Sequence, residues 1–374
     1  MEIKEFLVEK WLNTYEEDAQ YNTAETCVDS VSLNQLFEML GNKEEILNKI
    51  TNTRLTYGHI YGKPELKQNI ATLYEKMTEK NIITTNGAIG ANFLSLYSLV
   101  DPGDEVISVY PIYQQMYSIP ESFGAKVKLL LLKPENNFLP DIGELKSMVT
   151  EKTKLICINN PNNPCGSLME EGMLKEIIDI AKNADAYIHS DEVYRGLYQE
   201  NDIKIPSVAD LYEKGISIGS MSKVFSLAGI RVGWLAANEN VIDEVAKRRD
   251  YNIISCGILD EIIANYVLDK KEIILKRNHN IIKENLIILD NWVKNEPRVS
   301  YVKPRAGTTA FVKYHLDIPS IDFCKGLFKN KSVLIVPGKA FDVEGFFRLS
   351  YAYDKEQLKI GLKLISEYMD ELEK

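Results

Sequence analysis

From about residue 80 to residue 236 the chain alternates short apolar runs with helix-like stretches. The runs are Glu105 to Val109, Lys126 to Leu132, Lys154 to Ile158, Ala186 to Ser190, Ile216 to Ser220 and Val232 to Ala236. A strand, a helix and a further strand close into a βαβ unit, and a series of such units builds a mostly parallel sheet with helices on its faces. The alternation therefore predicts an α/β protein whose large domain has three layers. After Asn238 the sequence turns helical and charged, and from about Pro297 it mixes strand-like runs with a closing helix. That change predicts a second, smaller α+β domain, and 374 residues are too many for one ordinary core. The expected division is an N-terminal segment 1–45 packing with the small domain, a large domain 46–245 and a small C-terminal domain 246–374.

Open α/β sheets bind ligands at strand ends and helix starts, and the residues that carry chemistry gather at such points. The run Ser220 to Trp234 sets Lys223 among the small hydroxyl residues Ser220, Ser222 and Ser226, with Arg231 eight residues downstream between Gly229 and Gly233. A lysine can hold an aldehyde as a Schiff base, and hydroxyls with a guanidinium can hold a phosphate beside it. In Asn159 to Gly166, two Asn-Pro steps make a stiff turn, because each proline fixes φ and restrains the residue before it. The strand-like run from Tyr187 ends in Asp191, with Tyr194 three residues later. Thr84 to Asn92 reads as a small-residue turn leading into an apolar, helix-like run, and backbone N–H groups at such a helix start form an anion site. Near the C-terminus, Phe346 to Ala352 sets Arg348 in an apolar strand-like run, where a guanidinium needs an anionic partner.

Together and in this order, the motifs resemble the class I and II aminotransferases, pyridoxal-phosphate enzymes with the aspartate aminotransferase-like fold. The resemblance covers roughly residues 50 to 352. It implies that Lys223 is the Schiff-base lysine and that Ser220, Ser222 and Arg231 hold the cofactor phosphate. Thr84-Thr85-Asn86-Gly87-Ala88 resembles the family's phosphate loop, which makes Gly87, Ala88 and Ile89 the backbone cradle. Asp191 would pair with the pyridinium nitrogen and keep the ring an electron sink. Asn163 and Tyr194 would share the phenolic oxygen, although Cys165 stands where the family usually has Ser or Thr. Asp101-Pro102-Gly103-Asp104 matches a turn into a strand, and Tyr113 falls where a ring stacks on the cofactor. Tyr57, in the segment Tyr57 to Leu66, corresponds to a contact reaching the phosphate from a neighbouring subunit, which implies a homodimer. Arg348, with Asn163, would bind the substrate α-carboxylate. The implied catalytic set is Lys223, Asp191 and Tyr194. The implied reaction moves an amino group between an L-amino acid and a 2-oxo acid.

The opening of the chain departs from that pattern. Where these enzymes commonly carry a G-x-P-type segment lining the substrate site, this chain has Asn22 to Ser30. With Val8-Glu9-Lys10-Trp11-Leu12, that polar run resembles the opening of the pyridoxal-phosphate cyclase that builds capreomycidine from a hydroxylated arginine. The implied alternative is a lyase or cyclase acting on an amino acid, by elimination or cyclisation at Cβ and Cγ. Glu25 and Asp29 would then favour a cationic side chain such as arginine or lysine. A third class, a transcription factor with an aminotransferase-like domain, needs a DNA-binding region ahead of that domain. The large-lobe motifs begin near residue 57 and leave no room for one.

A net charge of −10 argues against nucleic acid as a partner. No apolar run approaches membrane-spanning length and the start Met1-Glu2-Ile3-Lys4 lacks a signal-peptide shape, so no membrane and a cytoplasmic location are expected. The five cysteines, Cys27, Cys157, Cys165, Cys256 and Cys324, follow neither metal nor disulfide spacing, and no metal is expected. His189, ahead of Asp191, reads as a satisfied histidine at a strand end.

Overall fold

The computed structural model describes residues 2–201 and 203–373, so Met1 and Lys374, the ends of the expected division, lie outside the described residues. Seven strands form the large sheet: β1 (Ile82–Asn86), β2 (Glu105–Tyr110), β3 (Lys126–Leu131), β4 (Thr153–Asn159), β5 (Tyr187–Asp191), β6 (Gly215–Ser220) and β7 (Val232–Ala236). Their spatial order is β1-β7-β6-β5-β4-β2-β3, parallel throughout except that β7 runs antiparallel to both neighbours.

Both faces of the sheet are covered. Ile83, Leu235, Ile216 and Ile218 pack with Ala91 and Leu94 of the helix Gly87–Leu99 and with Val241 and Val245 of the helix Glu239–Arg249. Ile82, Trp234 and Ala236, one residue out of phase, join the main core with Leu174, Ile177 and Ile178 of the helix Glu171–Asn183. Successive side chains of a strand point to opposite faces, so a strand buried on both reads as a continuous apolar run. That is why β2, β4, β5, β6 and β7 are visible in the sequence, while the edge strand β3 shows through its leucine run although Leu129 and Leu131 are 44% and 43% exposed.

The seventh, β1, corrects the reading of Thr84 to Asn86 as a turn. The strand continues through Asn86 and the helix begins at Gly87. The polar residues fit because their hydroxyls are satisfied: Thr84 Oγ1 donates to Glu261 Oε1 at 2.9 Å and Thr85 Oγ1 to the Gly87 carbonyl at 2.9 Å.

In the C-terminal part, four strands form an antiparallel sheet in the order Val336–Pro337, Phe346–Ser350, Thr309–Tyr314, Val299–Tyr301. The helices Ser320–Lys331 and Lys355–Leu372 bury Phe323, Leu327, Leu358 and Ile365 there. The N-terminal segment is laced onto this part. Tyr21–Asn22 pairs in parallel with Val333–Leu334, Trp11 Nε1 donates to the Ile335 carbonyl at 2.8 Å, and the Ser350 N–H donates to Thr23 O at 2.7 Å. The expected boundaries after residues 45 and 245 each fall inside a helix, Lys43–Asn52 and Glu239–Arg249. Among the described residues, no helix is long and apolar enough to cross a membrane.

The sheet direction fixes where the chemistry lies. Strands β1, β4, β5 and β6 end at Asn86, Asn159, Asp191 and Ser220 on one edge, and antiparallel β7 begins there at Val232.

Candidate active site

At that edge, a cavity of about 390 Å³ opens between the strand ends, the N-terminal segment and the C-terminal sheet. Its lining includes Lys223, Asp191, Tyr194, Asn163, Tyr113, Ser220, Ser222, Arg231, Arg348, Ala88 and Ile89. These residues come from positions as distant in sequence as 88 and 348, and the fold brings them together.

Lys223 follows β6 by three residues, and its amine donates to Thr26 Oγ1 at 2.7 Å and reaches Cys27 Sγ at 3.5 Å. Burial penalises the ammonium, but the neighbouring Cys27 and Tyr194 outweigh that penalty and hold Lys223 above the ordinary lysine range. Burial in turn pushes the Cys27 thiol up.

Asp191 closes β5 and is 5% exposed. Burial raises its pKa, and the opposing effects are a bond from Asn92 Nδ2 to Oδ2 at 3.0 Å, one from the Val193 N–H to Oδ1 at 3.2 Å and the nearby Lys223. Asn92 sits in the helix Gly87–Leu99, so the helix that starts at the site also steadies its acid.

The opposite end of the cavity suits an anion. Gly87, Ala88 and Ile89 form the first turn of the helix, where backbone N–H groups lack intrahelical acceptors. Gly87 N–H is spent on the Arg231 carbonyl at 2.9 Å, which leaves Ala88 and Ile89 to point outward. Gly87 serves another purpose: at φ +70, a Cβ there would lie 2.5 Å from Arg231 Nη2. The missing side chain lets the guanidinium approach the helix start. Arg231 itself has φ 51, a left-handed conformation uncommon for a residue with a side chain.

Arg348 lies in the C-terminal strand Phe346–Ser350 and is 2% exposed. Its Nη2 donates to the Ala24 carbonyl at 2.8 Å and its Nη1 to Asn163 Oδ1 at 3.2 Å, while Nε has no partner. No carboxylate is paired with it among the described residues. Burial lowers its pKa, an effect opposed by Tyr194, Glu9, Tyr113 and Glu16. Such a cation is completed by an anionic ligand. Asn163 is held in turn by its own N–H, which donates to Asn159 Oδ1 at 2.6 Å. Tyr113 donates its hydroxyl to Glu9 Oε1 at 2.8 Å and packs against Phe6, so the N-terminal helix reaches into the site.

Tyr57, expected to reach a neighbouring subunit's site, does not line the cavity of its own chain and is 70% exposed. Two expectations change. Asp29 does not line the cavity, and its carboxylate pairs with Arg277 at 2.9 Å. His189 is fully buried with no partner on either ring nitrogen among the described residues, so it is not a satisfied histidine. The sequence reading missed Asn92, Thr26, Cys27, Glu9 and Glu16 as cavity residues. A signal existed for Asn92, an amide inside an otherwise apolar helical run. Thr26 and Glu9 carried none, since their role depends on how the N-terminal segment folds back.

Residues 34–365 match the family described as aminotransferase class I and II. An aspartate aminotransferase of Pyrococcus horikoshii is 32% identical over 322 residues, covering 83% of this chain and 82% of that one. Capreomycidine synthase of Streptomyces vinaceus is 26% identical over 311 residues, covering 83% of this chain and 80% of the relative. The solved structure of a PLP-dependent aminotransferase from Streptococcus suis 89-1591 superposes with a TM-score of 0.97 at 44% identity, covering 100% of each chain. With the family matched over most of its length, the chain belongs to the class I and II aminotransferases, a family of pyridoxal-phosphate-dependent enzymes.

Proposed function

We propose that the protein is an aminotransferase that moves an amino group between an L-amino acid and a 2-oxo acid. The observation that carries this reading is the convergence of the Lys223 amine, the Asp191 carboxylate and the Arg348 guanidinium on one cavity. The residues present fit pyridoxal phosphate. The Arg231 guanidinium fills the space a Gly87 side chain would take, and the buried Asp191 carboxylate is held ready for a cationic N–H.

The bound cofactor supplies an aldehyde for the amine and a ring that accepts electrons. Ala88, Ile89, Ser220, Ser222 and Arg231 would hold its phosphate, with Gly87 allowing the approach. Asp191 would keep the proton on the ring nitrogen, Tyr113 would cover one ring face, and Asn163 and Tyr194 would hold the phenolic oxygen. Arg348 and Asn163 bind the substrate α-carboxylate and so fix the Cα–H near the Lys223 amine. Lys223, once neutral, is the base that moves that proton. The Thr26 hydroxyl orients the amine from the N-terminal side.

The second reading, a lyase or cyclase acting on an amino acid, is favoured by the similarity to capreomycidine synthase. We also propose a cytoplasmic homodimer divided as 1–45, 46–245 and 246–374. Leu55, Tyr57 and Tyr251 are 79%, 70% and 90% exposed around the contact between Gly58 N–H and Ser255, a patch that a second copy would cover.

The test is the visible absorbance of the purified, cofactor-loaded protein, titrated with each common amino acid, with mass spectrometry of the products. Bleaching that a 2-oxo acid reverses, with the matching oxo acid formed from the donor, supports amino transfer. Release of ammonia or a cyclised product with the absorbance retained would replace it with the second reading.

A further inference from the structure

One wall of the same cavity is acidic. Glu9, from the helix Leu7–Tyr15, Glu16, which caps that helix, and Glu25, from the following loop, all line it. Glu9 Oε1 accepts from the Tyr113 hydroxyl, and Glu16 Oε1 accepts from Asn22 Nδ2 at 3.1 Å. Neutral donors orient these two carboxylates without cancelling their charge. Among the described residues none of the three is in an ion pair, unlike Glu5 of the same N-terminal segment, which pairs with Lys10.

The cations on the lining are three: Lys223, Arg231 and Arg348. On the reading above, the first takes the cofactor aldehyde, the second its phosphate and the third the substrate α-carboxylate. The third role has its own observation, since Arg348 is buried, lines the cavity and leaves Nε without a partner. No cation on the lining then remains for a second substrate carboxylate. The Ala24 carbonyl accepts from Arg348 and the Thr26 hydroxyl from Lys223. Glu25 lies between them in the chain, so an acid stands beside the two groups that handle the substrate backbone.

We infer that the substrate is an amino acid with a cationic side chain, a guanidinium or a primary ammonium, selected by Glu9, Glu16 and Glu25. This rests on the reading of the cavity as the site of amino-acid chemistry. It extends the expectation for Glu25, adds two acids from the N-terminal helix and removes Asp29. A side-chain carboxylate would meet three like charges instead, and the cost of that juxtaposition excludes acidic substrates.

The experiment uses the cofactor-loaded enzyme with isosteric pairs: L-arginine against L-citrulline, L-lysine against L-2-aminoheptanoate, and L-aspartate and L-alanine as references. Two readouts are taken, the half-saturating concentration of the absorbance change and kcat/KM. One charged amino acid should exceed its neutral isostere by about 10- to 100-fold in both, the range of a hydrogen-bonded charge pair. Glu25→Gln and Glu9→Gln should each lower that ratio by about 3-fold or more, and 0.5 M salt should lower it as well. Equal response to each charged amino acid and its isostere, or a preference for aspartate, overturns the inference while leaving the amino-acid chemistry intact. An absorbance that responds to no amino acid, alanine included, overturns the inference together with the reading beneath it.

Discussion

The Asn92 side-chain amide donates to Asp191 Oδ2 over 3.0 Å, with both side chains buried. Burial alone pushes the Asp191 carboxyl up, and this bond is the first of the effects that hold it down. Asn92→Leu removes the donor and leaves a buried carboxylate short of a partner, a loss of about 1.5–3 kcal/mol for a charged group. If all of it falls on the transition state, kcat drops about 10- to 100-fold. The direction with pH is fixed too. Asp191 protonates more readily in the variant, so the acid limb of kcat moves to higher pH. A variant with an unmoved acid limb and near-normal kcat would show that the bond does not tune the acid.

The Lys223 amine and the Thr26 hydroxyl lie 2.7 Å apart, although 197 residues separate them in the chain. Lys223→Ala should abolish turnover, by about 1000-fold or more, while the protein still takes up cofactor weakly. Thr26→Val removes only a neutral hydrogen bond to the amine, about 0.5–1.5 kcal/mol, so turnover should fall about 2- to 10-fold. Both are read by kcat and by cofactor titration of the absorbance. Substantial turnover in the alanine variant would take Lys223 out of its role, and an equal loss in both variants would mean that Thr26 does more than orient.

Strands buried on both faces leave an unbroken apolar run, and β7 appears in the sequence with the bounds it has in the fold, Val232 to Ala236. The same logic hid β1. Thr84 and Thr85 satisfy their hydroxyls inside the sheet, and nothing local distinguishes that from a polar turn. Motifs with fixed spacing within one loop, such as Ser220 to Arg231, were legible because the chemistry and the backbone share a few residues. Of the acidic wall, only Glu25 was. Glu9 enters the site only because Trp11 docks on Ile335 and Tyr21–Asn22 pairs with Val333–Leu334, contacts more than 300 residues apart. Asp29 shows the converse, a plausible acid whose partner, Arg277, is 248 residues away.

That pair makes a prediction of its own. The Asp29–Arg277 contact is partly exposed, with side chains 46% and 22% accessible, so screening limits its worth to under about 1 kcal/mol. Asp29→Asn should lower the unfolding free energy by no more than that, measured by urea denaturation. It should leave the ratio of charged to neutral amino-acid substrates where it was. A fall in that ratio comparable to the one from Glu25→Gln would return Asp29 to the substrate site.

His189, two residues before Asp191 on β5, gives the last prediction through stability. Burial pulls its pKa down to about 4, and neither ring nitrogen has a partner among the described residues. The unfolded chain takes up a proton there near pH 6.5, and the folded chain does not until about pH 4. Between those values the unfolded state binds more protons, so this residue makes stability fall as pH drops, by about 3 kcal/mol over the full window and about 2 by pH 5. His189→Leu removes the titration and fills a similar volume without unpartnered nitrogens. Urea denaturation at pH 7.5 and pH 5 should therefore show a smaller loss on acidification in the variant than in the wild type, by about 2 kcal/mol. The carboxylates titrate in both proteins and cancel in the comparison. Parallel losses in the two proteins would mean that the folded state protonates His189 as readily as the unfolded one does, and that its burial within β5 is not the source of acid sensitivity.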